Sequence, residues 1–146
     1  MRLRPPTPHG RLYPRYDEEA DLLEVGSRFE REWTFGIDID GTIIFDIDAN
    51  YVLANFDLLI PKRYWEVSTE LTRPTKTRKW NLEVLARSIE HKSFHLPLIV
   101  NTNQARSAVQ ITFGSLEEGT KWAELSDDCF ALVRQDILCG FFILLR

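Results

Sequence analysis

Between Trp33 and Ile60 apolar and polar residues alternate in three successive runs. Trp33, Phe35, Ile37 and Ile39 alternate with Thr34, Gly36, Asp38 and Asp40. Ile43, Phe45 and Ile47 alternate with Thr42, Ile44, Asp46 and Asp48, and Val52, Ala54, Phe56, Leu58 and Ile60 with Tyr51, Leu53, Asn55, Asp57 and Leu59. A period of two places each set on one face of a strand. Asp40-Gly41 separates the first two runs, and such a pair suits a tight hairpin because both residues accept positive φ. Asp48-Ala49-Asn50 supplies turn formers between the second and third. The stretch predicts an antiparallel meander with one apolar face and one face of carboxylates.

The flanking segments carry weaker patterns. Residues 1–15 are rich in Pro and Arg and read as an extended N-terminal arm. Leu22 to Val25 predicts a short strand closed by a Gly26-Ser27 turn, and Pro61 ends the meander. Lys62 to Lys79 is polar and basic and reads as a linker. Leu82, Leu85, Ala86 and Ile89 then share one helical face, with Asn81 as N-cap and His91 and Lys92 at the far end, which predicts a helix over Trp80–Lys92. Beyond it, Leu98–Val100, Val109–Phe113, Phe130–Val133 and Ile137–Leu145 predict strands. The order strand, Gly-Ser, Trp, strand, turn, apolar strand occurs twice, with Gly114-Ser115 answering Gly26-Ser27 and Trp122 answering Trp33. It reads either as an internal repeat or as a reuse of common turns. The expected fold class is α+β. One domain, 16–146, holds two antiparallel β-meanders, 16–61 and 96–146, packed with one main helix in the connecting stretch 62–95.

Composition narrows the function classes. The chain has 146 residues, 44% hydrophobic and 27% charged, and a net charge of −4, so its surface as a whole does not attract nucleic acid. The N-terminus lacks the apolar core of a signal peptide, and no run reaches the ~18 apolar residues of a membrane span. Cys129 and Cys139 form neither a CxxC pair nor a disulfide framework and read as reduced core residues. A cytoplasmic protein without membrane contact is expected. Arg73, Lys76, Arg78 and Lys79 beside Trp80 form a basic cluster that either binds a ligand or only solvates the linker. His91 and His95 stand four apart, a spacing that chelates zinc on a helix, but no further ligand lies nearby, so no metal is expected. Ile137–Leu145 is apolar on both faces, which calls for cover and predicts a homodimer.

Two resemblances bear on function. Tyr16-Asp17-Glu18-Glu19-Ala20-Asp21, followed by a strand and the hairpin Ile44–Ile60, resembles a small bacterial domain family with a Tyr-Asp-x-Glu-Ala-Asp box and no assigned activity. It implies a small α+β fold. Phe35-Gly36-Ile37-Asp38-Ile39-Asp40-Gly41-Thr42 resembles the first motif of haloacid dehalogenase-like phosphatases. That likeness implies Asp38 as nucleophile, Asp40 as acid/base and Mg2+ as cofactor, with Thr102, Lys121 and Asp127 in the remaining motifs. The polar alternation before Asp38 instead suits a half-exposed antiparallel strand, and Thr42–Ile60 leaves no room for the helix a parallel sheet requires. The favoured expectation is a non-enzymatic binding or assembly module without a cofactor, acting on a protein or small-molecule partner. The alternative is the magnesium-dependent phosphohydrolase.

Overall fold

The computed structural model describes residues 2–4, 11–28, 33–75, 77–83, 93–94, 97–113, 120–135 and 137–145. In chain order the strands are β1 (Arg2–Arg4), β2 (Tyr13–Asp17), β3 (Leu22–Gly26), β4 (Trp33–Ile39), β5 (Ile43–Asp48), β6 (Leu53–Leu58), β7 (Glu66–Val67), β8 (Arg78–Lys79), β9 (Asn81–Glu83), β10 (Ser93–Phe94), β11 (Leu98–Thr102), β12 (Ala108–Phe113), β13 (Lys121–Ser126), β14 (Cys129–Arg134) and β15 (Ile137–Leu144). The α+β expectation is overturned. Among the described residues, helical structure is confined to one 3-10 turn at Lys62–Tyr64. The helix expected over Trp80–Lys92 begins as β9, so Asn81 caps nothing there. Its Leu82 is buried and pairs with Leu3 of β1. A single inward residue in three satisfies a period of 2 as well as one of 3.6, and pairing with β1 decides between them. Leu85, Ala86, Ile89, His91 and Lys92 lie outside the described residues.

Two large sheets face each other. One runs β10-β4-β5-β6-β3-β2 and the other β7-β11-β12-β15-β14-β13-β8. Their inward side chains form one buried cluster. Leu23, Val25, Ile37, Ile43, Phe45, Phe56 and Leu58 come from the first sheet, and Val109, Ile111, Ala131, Val133, Phe141 and Ile143 from the second. Contacts between the phenylalanines join the layers: the Phe56 and Phe141 rings stack with centroids 4.3 Å apart, and Phe45 lies 6.1 Å from Phe141. This is a β-sandwich.

The two sheets repeat one connectivity. Strands β2 and β3 form a hairpin, β4-β5-β6 a meander, and β6 returns to pair with β3. Strands β11 and β12, then β13-β14-β15, do the same, with β15 returning to β12. The registers agree residue by residue. Arg15↔Glu24 matches Asn101↔Gln110, and Asp38↔Ile44 matches Glu124↔Phe130, a constant shift of 86 positions (101 less 15, 124 less 38). Beyond the β5–β6 turn the shift is 85 (142 less 57), and both sheets carry an irregularity at the same place, Asp46/Ile47 and Leu132/Val133. Trp122 therefore answers Gly36 rather than Trp33, and Thr112 rather than Gly114 answers Gly26.

The Asp40-Gly41 pair closes the β4–β5 hairpin. Both residues have positive φ, 52° and 65°, and the Thr42 N–H donates to the Ile39 carbonyl at 2.9 Å. Sheet edges are blunted by the two-residue strands β7, β8 and β10, and by Pro14 in β2, which lacks a donor. The Tyr-Asp-x-Glu-Ala-Asp box turns out to clamp the chain rather than line a pocket. Asp17 accepts the Glu19 and Ala20 N–H groups, which closes the β2–β3 turn. The Tyr16 hydroxyl bonds the Asp21 carboxylate and accepts the Lys62 N–H, while Arg63 pairs with Asp21 at 2.9 Å. Burial and the Asp21 bond push the Tyr16 pKa up to about 12. Among the described residues no helix is long and apolar enough to cross a membrane.

Two glycines test the backbone account. A Cβ at Gly41 meets open space, so Gly41→Ala should lose only the positive-φ advantage, about 1 kcal/mol. A Cβ at Gly140 would lie 2.1 Å from the Ile111 carbonyl oxygen. Gly140→Ala should therefore cost about 3 kcal/mol, as overpacking at rigid backbone does. Urea denaturation midpoints of the two variants are expected to fall in that order.

Candidate binding face

Alternation along β2, β3, β5 and β6 directs one set of side chains away from the core, and the registers align them in two rows. One row reads Arg15, Glu24, Asp57, Ile44 and Asp38, and the next Tyr13, Gly26, Asn55, Asp46 and Gly36. Part of this surface is a concave groove of about 690 Å3, lined by Tyr13, Arg15, Glu24, Asn55, Asp46 and Asp57 among others. That volume lies within the ordinary range of small-ligand sites. Gly26, which lines the groove, contributes no side chain to it, whereas the matching position of the other sheet holds Thr112.

The groove concentrates negative charge. Glu24 stands directly opposite Asp57, a repulsive cross-strand pair. Arg15 bonds Glu24 through Nη2 at 2.5 Å and Nε at 3.2 Å. Arg28 stacks on Tyr13, its guanidinium carbon 3.7 Å from the ring centroid. Burial holds the Asp46 carboxyl above its ordinary value of 3.8, and the Asp57 carboxyl likewise, with repulsion from Asp46 and Glu24 added. Such a surface stabilises a cation placed between the carboxylates.

The residues singled out from the phosphatase likeness are divided between the sheets. Asp38 lies on β4, where its Oδ1 accepts the Gly41 N–H at 2.7 Å, and Asp40 is exposed at the hairpin tip. Thr102 is fully buried in β11, its hydroxyl donating to the Ala108 carbonyl at 2.7 Å. Lys121 and Asp127 are exposed on β13 and in the turn after it. Asp38 and Asp40 sit at the end of the antiparallel β4–β5 hairpin; β4 also pairs in parallel with the two-residue β10, but a strand, not a helix, follows it. The residues of the basic cluster are placed along the edge and outer face of the seven-stranded sheet. Arg73 lies over Phe130, Arg78 and Lys79 form β8 at the edge of the seven-stranded sheet, and the Trp80 N–H donates to the Glu124 carbonyl. Lys76, His91 and His95 lie outside the described residues. Among the described residues no three His, Cys, Asp or Glu side chains come together as a metal site.

The apolar strand Ile137–Leu145 is central, between β12 and β14. Its outward Phe142 is buried with Phe130 and Ala108 under Leu71, Trp122 and Leu144. That face is covered within the chain, so the strand itself supplies no reason for a dimer. Cys129 and Cys139 are buried free thiols, and burial pushes the Cys129 thiol pKa well up. No protein-family model and no curated protein sequence matches the chain.

Alternation alone marks Glu24, Asp46 and Asp57 as outward carboxylates. Their convergence was not readable, because it depends on β3 pairing with β6 across the 26 residues 27–52. A carboxyl whose folded pKa is raised adds stability that is present below pH 3.8 and is lost as pH rises through the folded value. At neutral pH Asp46 and Asp57 are therefore disfavoured anions. Asp57→Asn and Asp46→Asn should each raise Tm at pH 7, and the gain should vanish near pH 4 in a thermal melt series.

Proposed function

We propose that the protein is a non-enzymatic binding module whose ligand is cationic and sits in the groove on the outer face of the six-stranded sheet. The observation that carries the reading is the set of Glu24, Asp57 and Asp46 on one concave surface, three carboxylates against two arginines, of which Arg15 is bonded to Glu24 and Arg28 stacks on Tyr13. A purely structural sheet face gains nothing from facing carboxylates at that spacing. The phosphohydrolase reading draws less support, since its two aspartates serve a hairpin turn and its threonine is buried in the opposite sheet.

Isothermal titration with arginine amide and spermine, against glutamate and inorganic phosphate as anionic controls, tests the reading. Saturable binding of the cations is expected, weakening as salt rises and falling at least tenfold in Asp46→Asn/Asp57→Asn. Binding that survives this variant unchanged, or saturation by phosphate instead, would contradict it. No turnover of p-nitrophenyl phosphate with magnesium is expected.

A further inference from the structure

The seven-stranded sheet shows what its outer face accepts. Strand β7 pairs with β11 at one edge and β8 with β13 at the other, so the connection from Val67 to Arg78 crosses the whole sheet. Six strand spacings require about 29 Å, and eleven residue steps reach at most about 38 Å, so the crossing leaves little slack. Leu71 packs on Phe130 and Phe142. The Arg73 guanidinium carbon lies 5.6 Å from the Phe130 ring centroid, and its Nη2 donates to the Asp127 carbonyl at 3.3 Å. The chain's own segment is thus a strap, with an aliphatic residue and an arginine as its anchors.

The matched registers carry this over to the other sheet. Phe142, Phe130 and Leu132, on the strapped face, correspond to Asp57, Ile44 and Asp46. Trp122, which meets Phe142 edge to face, corresponds to Gly36. The outer face of the six-stranded sheet therefore has the strap-bearing register, with carboxylates in place of two apolar anchors and a glycine in place of the tryptophan. Ile44, which answers the residue under Arg73, lies in one row between Asp57 and Asp38.

We infer that this face takes an extended, arginine- or lysine-bearing peptide segment of a partner protein, laid across β2, β3, β6 and β5 as the chain's own strap is laid across its counterpart sheet. The inference rests on the cation-binding reading above and names its ligand. A basic side chain of the peptide lies over Ile44 and pairs with Asp57 and Asp38, and a neighbouring one reaches Asp46. Arg15 and Arg28, at the far end of the groove, suit a peptide carbonyl or an acidic residue.

Fluorescence anisotropy on the full chain tests it. The probes are a labelled decapeptide alternating arginine with valine, its glutamate-valine counterpart, and spermine as a compact competitor. The arginine peptide should bind saturably and at least tenfold tighter than spermine. Its affinity should fall at least tenfold in Asp46→Asn/Asp57→Asn and stay within twofold in Glu19→Gln/Asp127→Asn, which removes the same charge elsewhere. Both double variants are checked for an intact thermal transition. Equal loss in the two variants, or equal binding of the glutamate peptide, would mean general attraction and overturn the inference. Carboxylate-dependent binding of spermine without the peptide would overturn it and leave the cation-site reading standing, whereas failure of every cation would remove both.

Discussion

The stacking of Phe56 on Phe141 is the contact on which the rest of the molecule depends. The two residues occupy matching positions in the two halves (141 less 56 is 85), and their rings lie 4.3 Å apart at 27°. A residue that packs on its own counterpart marks the axis relating the halves. Around it the core departs from symmetry in a way that packing requires. Phe45 and Phe113 both approach Phe141, at 6.1 and 6.3 Å, while their counterparts are Ala131 and Ser27. Four rings, Phe45 and Phe56 from one sheet and Phe113 and Phe141 from the other, therefore cluster across the interface. Each fully buried phenylalanine contributes roughly 2–3 kcal/mol relative to exposure.

Once the inward faces join the halves, the outward faces are free to diverge. One keeps an aromatic surface and covers part of it with Leu71 and Arg73 from the connection between β7 and β8. The other replaces those aromatic residues with Asp57, Ile44, Asp46 and Gly36. Its cross-strand carboxylates lower stability at neutral pH, and that loss is intelligible if a cation compensates it on binding. The Tyr16–Asp21 clamp fixes the β2–β3 hairpin to the turn after β6, so the groove sits on a braced edge rather than a frayed one.

Much of the first meander was legible because its pattern is local. Period-two alternation placed Ile37, Ile43, Phe45, Phe56 and Leu58 inward, and Asp40-Gly41 announced its own turn. The third run slipped by one residue at the irregularity between Asp46 and Ile47, which brings Leu53 inward in place of Val52's register. Non-local features were not legible. The helix reading failed at Asn81–Glu83 because pairing with Arg2–Arg4 overrides a pattern that three residues cannot define. The doubled architecture left only a drifting echo in the sequence, since matching positions share the face of the sheet, not identity: Phe45 answers Ala131 and Asp57 answers Phe142. The groove was hidden for the same reason, its carboxylates coming from three strands that are brought together only by the sheet.

The claim that two matching halves are joined through a self-paired phenylalanine is tested most directly by a double-mutant cycle on Phe56→Leu and Phe141→Leu, read as urea denaturation free energies of the four proteins. A coupling energy of roughly 0.5–1.5 kcal/mol is expected, the range for stacked aromatic pairs beyond their buried area. Strictly additive losses would mean that the two rings do not touch and would contradict the sandwich as described.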